Sequence, residues 1–559
     1  MTARALCLSL ALVALAGLAP ASARAKPWEP RTFQTPAAEP GADPVFITLR
    51  PEYRTRLIGL DPLEVNGVLA QGVRWGEQRL RLDGSMGLRG VGAIHVQLDL
   101  LDGVLFGDNG DYGRSPEPTS GLGIASRQAN LAGWRVGLLP GGDPLSVDGY
   151  GPVLRPIAPL EVNYLYGEVL LPVGVLRIGR QPLSENGSVS LNDGATGRNL
   201  WGASAYHESA DRILFGTKIS ELFNLIAYGS GYDVDTSLDN GVFLGLVYDF
   251  LVEDRVTTTS DNLQGLSAQL DLRWKHPEIL GPAFGPMRLT ATLTYRFDEQ
   301  FNTSLFAVPL RGSLAVGDFQ LRAELTAILG TTRELAAGFA ELTNSAVNDQ
   351  DLSLLTARVQ LDYTLGPLTF LLEWGFADGD EDPRATTTLT SSSWARDTNL
   401  GLLLFEHTLA FQSARSAAVG IENLRQLDAV SFPLTELATD GRVTNVNALF
   451  PQIFFDPVPE LRLKLGVLFA WSARAVVDPI QTLLRFDGQR IDDDAINYHG
   501  GKPGRTWGTE LDLGLEWRYR DFFEAALEFA YLVPGDALED ENGDAVNSWL
   551  LESRFTFRL

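Results

Sequence analysis

The chain has 559 residues, 45% of them apolar, and a mean hydropathy of zero, which is too polar for a bundle of membrane helices but suits a wall with one wet face. Its 70 acidic residues outweigh 45 basic ones for a net charge of −25, which excludes a nucleic-acid partner, because nucleic acid needs a basic surface.

In chain order, Arg4 precedes the apolar run 5–18, and Ala21-Ser22-Ala23-Arg24-Ala25 offers a small-residue cleavage site, so residues 1–25 read as a secretory signal peptide. Cys7, the only cysteine, lies inside it, and the exported chain is expected to have no disulfide and no cysteine-based metal site. The Pro-rich stretch 26–44 reads as a flexible periplasmic lead-in. No later apolar run reaches the roughly 18 residues that a transmembrane helix needs.

Residues 45–559 read as a single all-β domain. Period-two alternation places strands near 46–60, 71–83, 90–106, 160–171, 173–181, 208–220, 222–231, 241–253, 263–275, 286–298, 315–330, 352–365, 367–378, 442–456, 459–473, 506–519, 521–534 and 545–559. In 511–519, Leu511, Leu513, Leu515, Trp517 and Tyr519 oppose Asp512, Glu516 and Arg518; in the last strand Trp549, Leu551, Phe555 and Phe557 oppose Glu552, Arg554 and Arg558. Periodicity alone fits a soluble sandwich as well, with the apolar faces meeting each other. Three features favour a transmembrane antiparallel up-and-down β-barrel: segments long enough for a tilted crossing, aromatics gathered at strand ends, and connections that alternate between tight and long. The expected number is about 18 strands, within 16 to 20. The apolar run 400–411 is awkward: as a wall strand it needs a second strand in 416–432 and makes 20. The reading taken is that 378–441 forms one large excursion, extracellular or folded partly into the lumen, with 20 strands as the alternative.

With the aromatic parity outward, the pore lining is expected to comprise Arg79, Arg81, His95, Gln97, Asp99, Arg177, Gln269, Asp271, Arg273, Arg288, Arg296, Arg322, Glu324, Arg358, Gln360, Asp362, Arg462, Lys464, Glu510, Asp512, Glu516 and Arg518, joined by Glu552 and Arg554. Both signs occur, which suits ladders of Arg with Asp or Glu that keep the wall round and equally suits a field that selects solutes by charge. Acidic stretches such as 378–382, 492–494 and 536–544 fit solvated loop tips or cation bridges to anionic headgroups. The five histidines His95, His207, His276, His407 and His499 show no ligand spacing, and no nucleophile motif or phosphate loop occurs, so no catalytic, cofactor or metal site is expected.

The stretch Val175-Leu-Arg-Ile-Gly-Arg-Gln-Pro182, with Asn192-Asp-Gly194 and Asp211-Arg-Ile-Leu-Phe215, resembles the strand, loop and strand of alginate-export-type outer-membrane barrels and related uncharacterised outer-membrane barrel families. So do residues 441–455, Gly508-Thr-Glu-Leu-Asp512, Val533-Pro-Gly535 and Arg79-Leu-Arg-Leu-Asp83. The resemblance implies a monomeric barrel of about 18 strands. Two departures stand out: the chain ends in Leu559 rather than an aromatic, and acids interrupt the arginine lining. The resulting expectation is a Gram-negative outer-membrane channel, not an enzyme, for passive passage of hydrophilic solutes, with polysaccharide or other charged substrates among the candidates. Its partners are outer-membrane lipid, lipopolysaccharide and the solute. The alternative is a surface-exposed binding or structural protein anchored by a plugged barrel.

Overall fold

The computed structural model describes residues 35–36, 43–63, 65, 72–107, 158–172, 174–184, 188–192, 199–204, 208–229, 231–235, 237–251, 263–277, 280–281, 283–333, 347–381, 387–410, 439, 441–476, 504–539 and 542–559. The segment 1–25 lies outside them, as does 416–432, and only Thr35, Pro36, Asp43 and Pro44 of the lead-in lie within.

Among the described residues eighteen strands run in chain order: β1 (Val45–Asp61), β2 (Val73–Leu88), β3 (Gly92–Gly107), β4 (Ala158–Leu171), β5 (Gly174–Pro182), β6 (Ser209–Lys218), β7 (Gly241–Leu251), β8 (Leu263–Trp274) and β9 (Phe284–Asp298) make the first half. The second half is β10 (Thr303–Val316), β11 (Phe319–Thr332), β12 (Gln350–Leu365), β13 (Leu368–Ala377), β14 (Val446–Val458), β15 (Leu461–Trp471), β16 (Thr506–Tyr519), β17 (Phe523–Pro534) and β18 (Ser548–Arg558). Each pairs antiparallel with the next, and β18 pairs with β1 from Glu52↔Arg558 to Asp61↔Trp549, so the sheet closes into an up-and-down barrel with no free edge. Tight turns such as 317–318 and 366–367 gather at one end, where Gly317 and Gly366 take a φ of 58° that a side chain would resist. The long connections, 378–445 among them, lie at the other end.

The burial of the two faces settles barrel against sandwich. In β18 the inward Leu550, Glu552, Arg554 and Thr556 are buried, while Trp549, Leu551 and Phe555 are partly open and Phe557 is exposed. Leu266 and Leu270 on β8, and Leu289 and Leu293 on β9, are each about half exposed, at 50, 48, 53 and 52%. A sandwich buries its apolar faces against each other; here the charged face is the dry one. No described helix is long and apolar enough to cross a membrane.

Two expectations need correction. The segment expected as a strand at 222–231 is instead a helix, α1 (Ile219–Tyr228), at the tight-turn end. Leu222, Leu225 and Ile226 recur at helical spacing. The helix stops at Gly229, whose φ of 79° lets its N–H reach Leu225 O at 2.9 Å. Second, β10 was not expected at all. Pro309 has no N–H, pairing with β9 skips from Ala307↔Thr294 to Leu310↔Ala291, and the inward residues Leu305 and Ala307 blur the alternation. The two changes cancel in the count and reverse the direction of β7, β8 and β9. The run 400–411, taken as part of the 378–441 excursion and not as a wall strand, has its described residues, 400–410, turning inside the barrel with a π-helical turn, Leu404–Leu409.

Candidate channel lumen

Two of the long connections fold inward and fill one arc of the lumen. The β13–β14 connection carries Trp394, Leu400, Leu402, Leu403, Leu404, Phe405 and Leu409 into a dry core, each no more than 2% exposed. Trp75 on β2, Phe450 on β14, Leu468 on β15, Trp507 on β16 and Leu550 on β18 meet it from the wall. Trp394 Nε1 donates to Phe376 O at 3.0 Å.

Polar anchors fix this excursion in place. Glu510 on β16 accepts the backbone N–H groups of Leu402, Leu403 and Leu404 at 2.6, 2.8 and 2.7 Å, so one carboxylate satisfies three consecutive donors of the turn. Gly401, with a φ of 77°, makes room for it: a Cβ there would lie 2.9 Å from Glu510 Oε1. On β1, Arg56 grips Glu552 of β18 with two bonds, Nε to Oε1 at 2.9 Å and Nη2 to Oε2 at 2.8 Å, and Nη2 also donates to Glu406 Oε1 of the excursion at 3.2 Å. Glu77 Oε2 lies 3.5 Å from its Nη1. Burial, only partly offset by Arg56 and reinforced by Glu552, pushes the Glu406 carboxyl up to about 8.

The β5–β6 connection also enters where it is described. Val189 N donates to Glu324 Oε2 on β11 at 2.7 Å, while Lys464 on β15 donates to Leu200 O at 2.7 Å and Arg54 on β1 to Ser204 O at 2.7 Å. The segment therefore spans the lumen between walls. It also meets the first excursion, with Ala395 N to Val189 O at 2.6 Å and Asn192 Nδ2 to Arg396 O at 2.7 Å. At the tight-turn end the lead-in is docked where described: Thr35 donates its N–H and hydroxyl to Glu168 on β4, and Pro36 O accepts from Gly90 N at 2.8 Å.

The residues expected inside divide into two groups. On the filled side most are buried and paired, while the paired Arg462 and Arg518 stay 29 and 22% exposed. Arg81 binds Asp99 through Nε at 2.7 Å and Nη2 at 2.6 Å, Arg79 donates to Glu52 at 3.1 Å, His95 Nδ1 meets Ser85 at 2.8 Å, and Gln97 donates to Asp83 at 2.6 Å. Lys464 binds Glu516 at 2.7 Å and Glu528, Arg518 reaches Glu516 at 3.1 Å, and Arg462 holds Asp456 at 2.8 Å. Asp512 is fully buried beside Glu510, and Gln360 is buried on β12. On the arc from β8 to β12 the cations stay reachable. Asp271 accepts two bonds from Arg288, at 2.9 and 2.7 Å, one from Arg273 at 2.9 Å and one from Thr290 at 3.1 Å. Yet the Arg273 and Arg288 side chains are 28 and 33% exposed, and Arg322, paired with Asp362, is 40% exposed. Arg358, bound to Glu373 at 2.6 Å, Arg296, Glu324 and Gln269 are of intermediate burial on the same arc, as is Arg177, bound to Glu168 at 2.7 Å, on β5. Arg180 and Asp211 do pair, through two bonds of 3.1 Å, but on the outward parity.

Sequence reasoning missed Arg54, Arg56, Glu77, Glu373, Glu528 and the pair Arg212–Asp249, the last joined at 2.8 Å. The alternation Arg54, Arg56, Ile58, Leu60 against Thr55, Leu57 and Gly59 carried the signal for the first two. Glu528 sits inward between Ala526 and Ala530, where small neighbours hid the polar parity.

The fold and this interior define a closed β-barrel whose charged lumen is filled along one arc and solvent-reachable along the other. No family model matches the chain, and no curated protein matches it either. Among solved structures it is similar to the outer membrane protein opdK from Pseudomonas aeruginosa, at 11% identity over 92% of this chain and 99% of that one, with a TM-score of 0.43. It is also similar to OccK9 (OpdG) of the same organism, at 12% identity over 92% and 98% with a TM-score of 0.46, and to Acinetobacter baumannii OccAB4, at 10% over 91% and 98% with a TM-score of 0.43. The architecture here rests on the strand pairing given above.

Proposed function

We propose that this chain is an outer-membrane channel that passes small hydrophilic solutes by diffusion. The observation that carries the reading is the inversion of its faces: half-exposed leucines outside, where only hydrocarbon makes them favourable, and ionic side chains inside a closed wall. Water and solute take the arc lined by Arg273, Arg288, Arg296, Arg322 and Arg358, with Arg177 further round the wall. Two guanidinium groups share the single Asp271 carboxylate, so this pocket of the path carries a surplus positive charge that favours anions over cations. The two excursions narrow the path, which favours small solutes over polysaccharide.

Planar-bilayer recording tests this. The wild type is expected to give discrete conductance steps, and the double variant R288Q/R322Q is expected to keep them while its reversal potential in a salt gradient shifts toward cations. Asp271 retains Arg273 and Thr290 in that variant, while Asp362, 13% exposed, loses the Arg322 guanidinium, so insertion of the variant is checked first. A protein that inserts but never conducts is a plugged anchor, and the proposal then fails.

A further inference from the structure

The outer face of the barrel carries a groove of about 430 Å³ across β11 to β15. Its walls are Phe370 and Leu372 of β13 and Leu465 and Val467 of β15, and its floor is Pro451 and Ile453 of β14. The floor is low for a local reason: Pro451 pairs with Leu372, but pairing with β15 lapses between Leu449↔Phe469 and Gln452↔Gly466, and Val467 is shorter than its outward neighbours Leu465 and Phe469. At the tight-turn end Phe319 and Tyr363 close it, ring to ring at 4.5 Å. From turn 366–367 to Leu372 is five residues, which at roughly 3.3 Å each and a barrel tilt span about the depth of one leaflet.

Charge at the mouth narrows the occupant. The turns at 317–318, 366–367 and 457–460 read Gly-Asp, Gly-Pro and Pro-Val-Pro-Glu, so exposed Asp318 and Glu460 stand there with no cation in those turns. Arg520, one turn further round, lies against the Tyr519 ring at 5.4 Å. Carboxylates repel an anionic headgroup and attract an ammonium. We propose that this groove seats one acyl chain of a phospholipid with an ammonium-bearing headgroup, in the leaflet beside the tight turns. The proposal rests on the reading of the chain as a membrane barrel, since the groove is continuous with the hydrocarbon-facing belt.

The test is phospholipid retained by the full-length protein purified in mild detergent, identified by mass spectrometry after organic extraction. V467W fills the groove, and L266W places the same bulk on the belt at β8, outside it. Wild type and L266W are expected to retain ethanolamine phospholipid in stoichiometric amount, V467W to lose it by an order of magnitude, and D318N/E460Q to keep a lipid but no longer prefer ethanolamine over glycerol headgroups when both are offered. Equal retention by V467W and L266W would overturn the proposal, as would cross-linking of a second copy into the groove through Val467→Cys. Failure of the barrel reading looks different: the protein would stay soluble without detergent.

Discussion

Excising residues 387–441 and closing the gap with a short Gly-Ser link is expected to raise single-channel conductance severalfold while the protein still inserts. The barrel wall is hydrogen-bonded strand to strand around its whole circumference, so none of its ladder depends on the excursion. What the excision removes is the dry plug of Trp394, Leu400 and Leu402–Leu404; it uncovers the charged Glu510, Arg56 and Glu552 but also the apolar Trp75, Phe450, Leu468, Trp507 and Leu550, so a loss of stability is expected alongside the gain in conductance. Glu510→Ala makes a subtler version of the same change. It leaves the three N–H groups of residues 402–404 buried without an acceptor, at about 1–3 kcal/mol each, which is enough to favour detachment of the turn from the wall. Flickering between a small and a large conductance is expected for this variant, in place of the uniform increase of the excision. If the excised protein conducts like the wild type, the path does not run past this segment, and the assignment of the constriction is wrong.

The wall was legible because its chemistry repeats every second residue over long stretches, as at 511–519 and 549–558, and seventeen of the observed strands fall on stretches read as strands. What was not legible has specific causes. In 222–231 both parities are apolar, so a two-residue period and a helical one fit a short window equally; Gly229 and its reach to Leu225 decide the matter. In β10 the inward face holds Leu305, Ala307 and Pro309 where neighbouring strands hold Thr294 and Arg296, and the contrast disappears. The luminal plug did leave a trace. Toward the long-connection end the inward parity turns apolar in several strands at once: Ile58 and Leu60, Val73 and Trp75, Ala448 and Phe450, Leu468 and Ala470, Ala530 and Leu532. Such a ring has no reason to exist around water, and it implies an apolar segment to cover it. The run 400–411 is that segment, and its misfit as a nineteenth strand was the complementary clue. Ion pairs across strands were beyond reach, because they depend on register: Arg81 finds Asp99 only because β2 and β3 pair those two residues.

Arg56→Met is expected to be the most destabilising single substitution in the interior, by about 3–5 kcal/mol, because it strands the fully buried Glu552 carboxylate without its two-bonded partner. Arg554, whose Nη1 lies 3.4 Å from Glu552 Oε1, offsets part of this and places the loss toward the lower end of that range. The measurement is the urea midpoint of the reconstituted barrel, followed by tryptophan fluorescence and by the heat-dependent shift in gel mobility. Removing both members, as in R56M/E552M, takes away the Glu552 charge as well and is expected to recover part of the loss, the buried Glu77 beside Arg56 still losing its guanidinium neighbour. Glu406 separates the two roles that a carboxylate beside Arg56 can play. With its carboxyl held up to about 8 it is mostly protonated at pH 7, so Glu406→Gln keeps both shape and charge. Its Oε1 still accepts from Arg56, while Asn399 can accept from the new Nε2 only by turning its amide, which gives up the Nδ2 bond to Trp201 O. A shift of less than about 1 kcal/mol is expected for E406Q, within the range of one exchanged hydrogen bond. An effect of E406Q as large as that of R56M would mean that Glu406 carries a full negative charge in the folded barrel, and that the excursion is held by an ion pair and not by a neutral hydrogen bond.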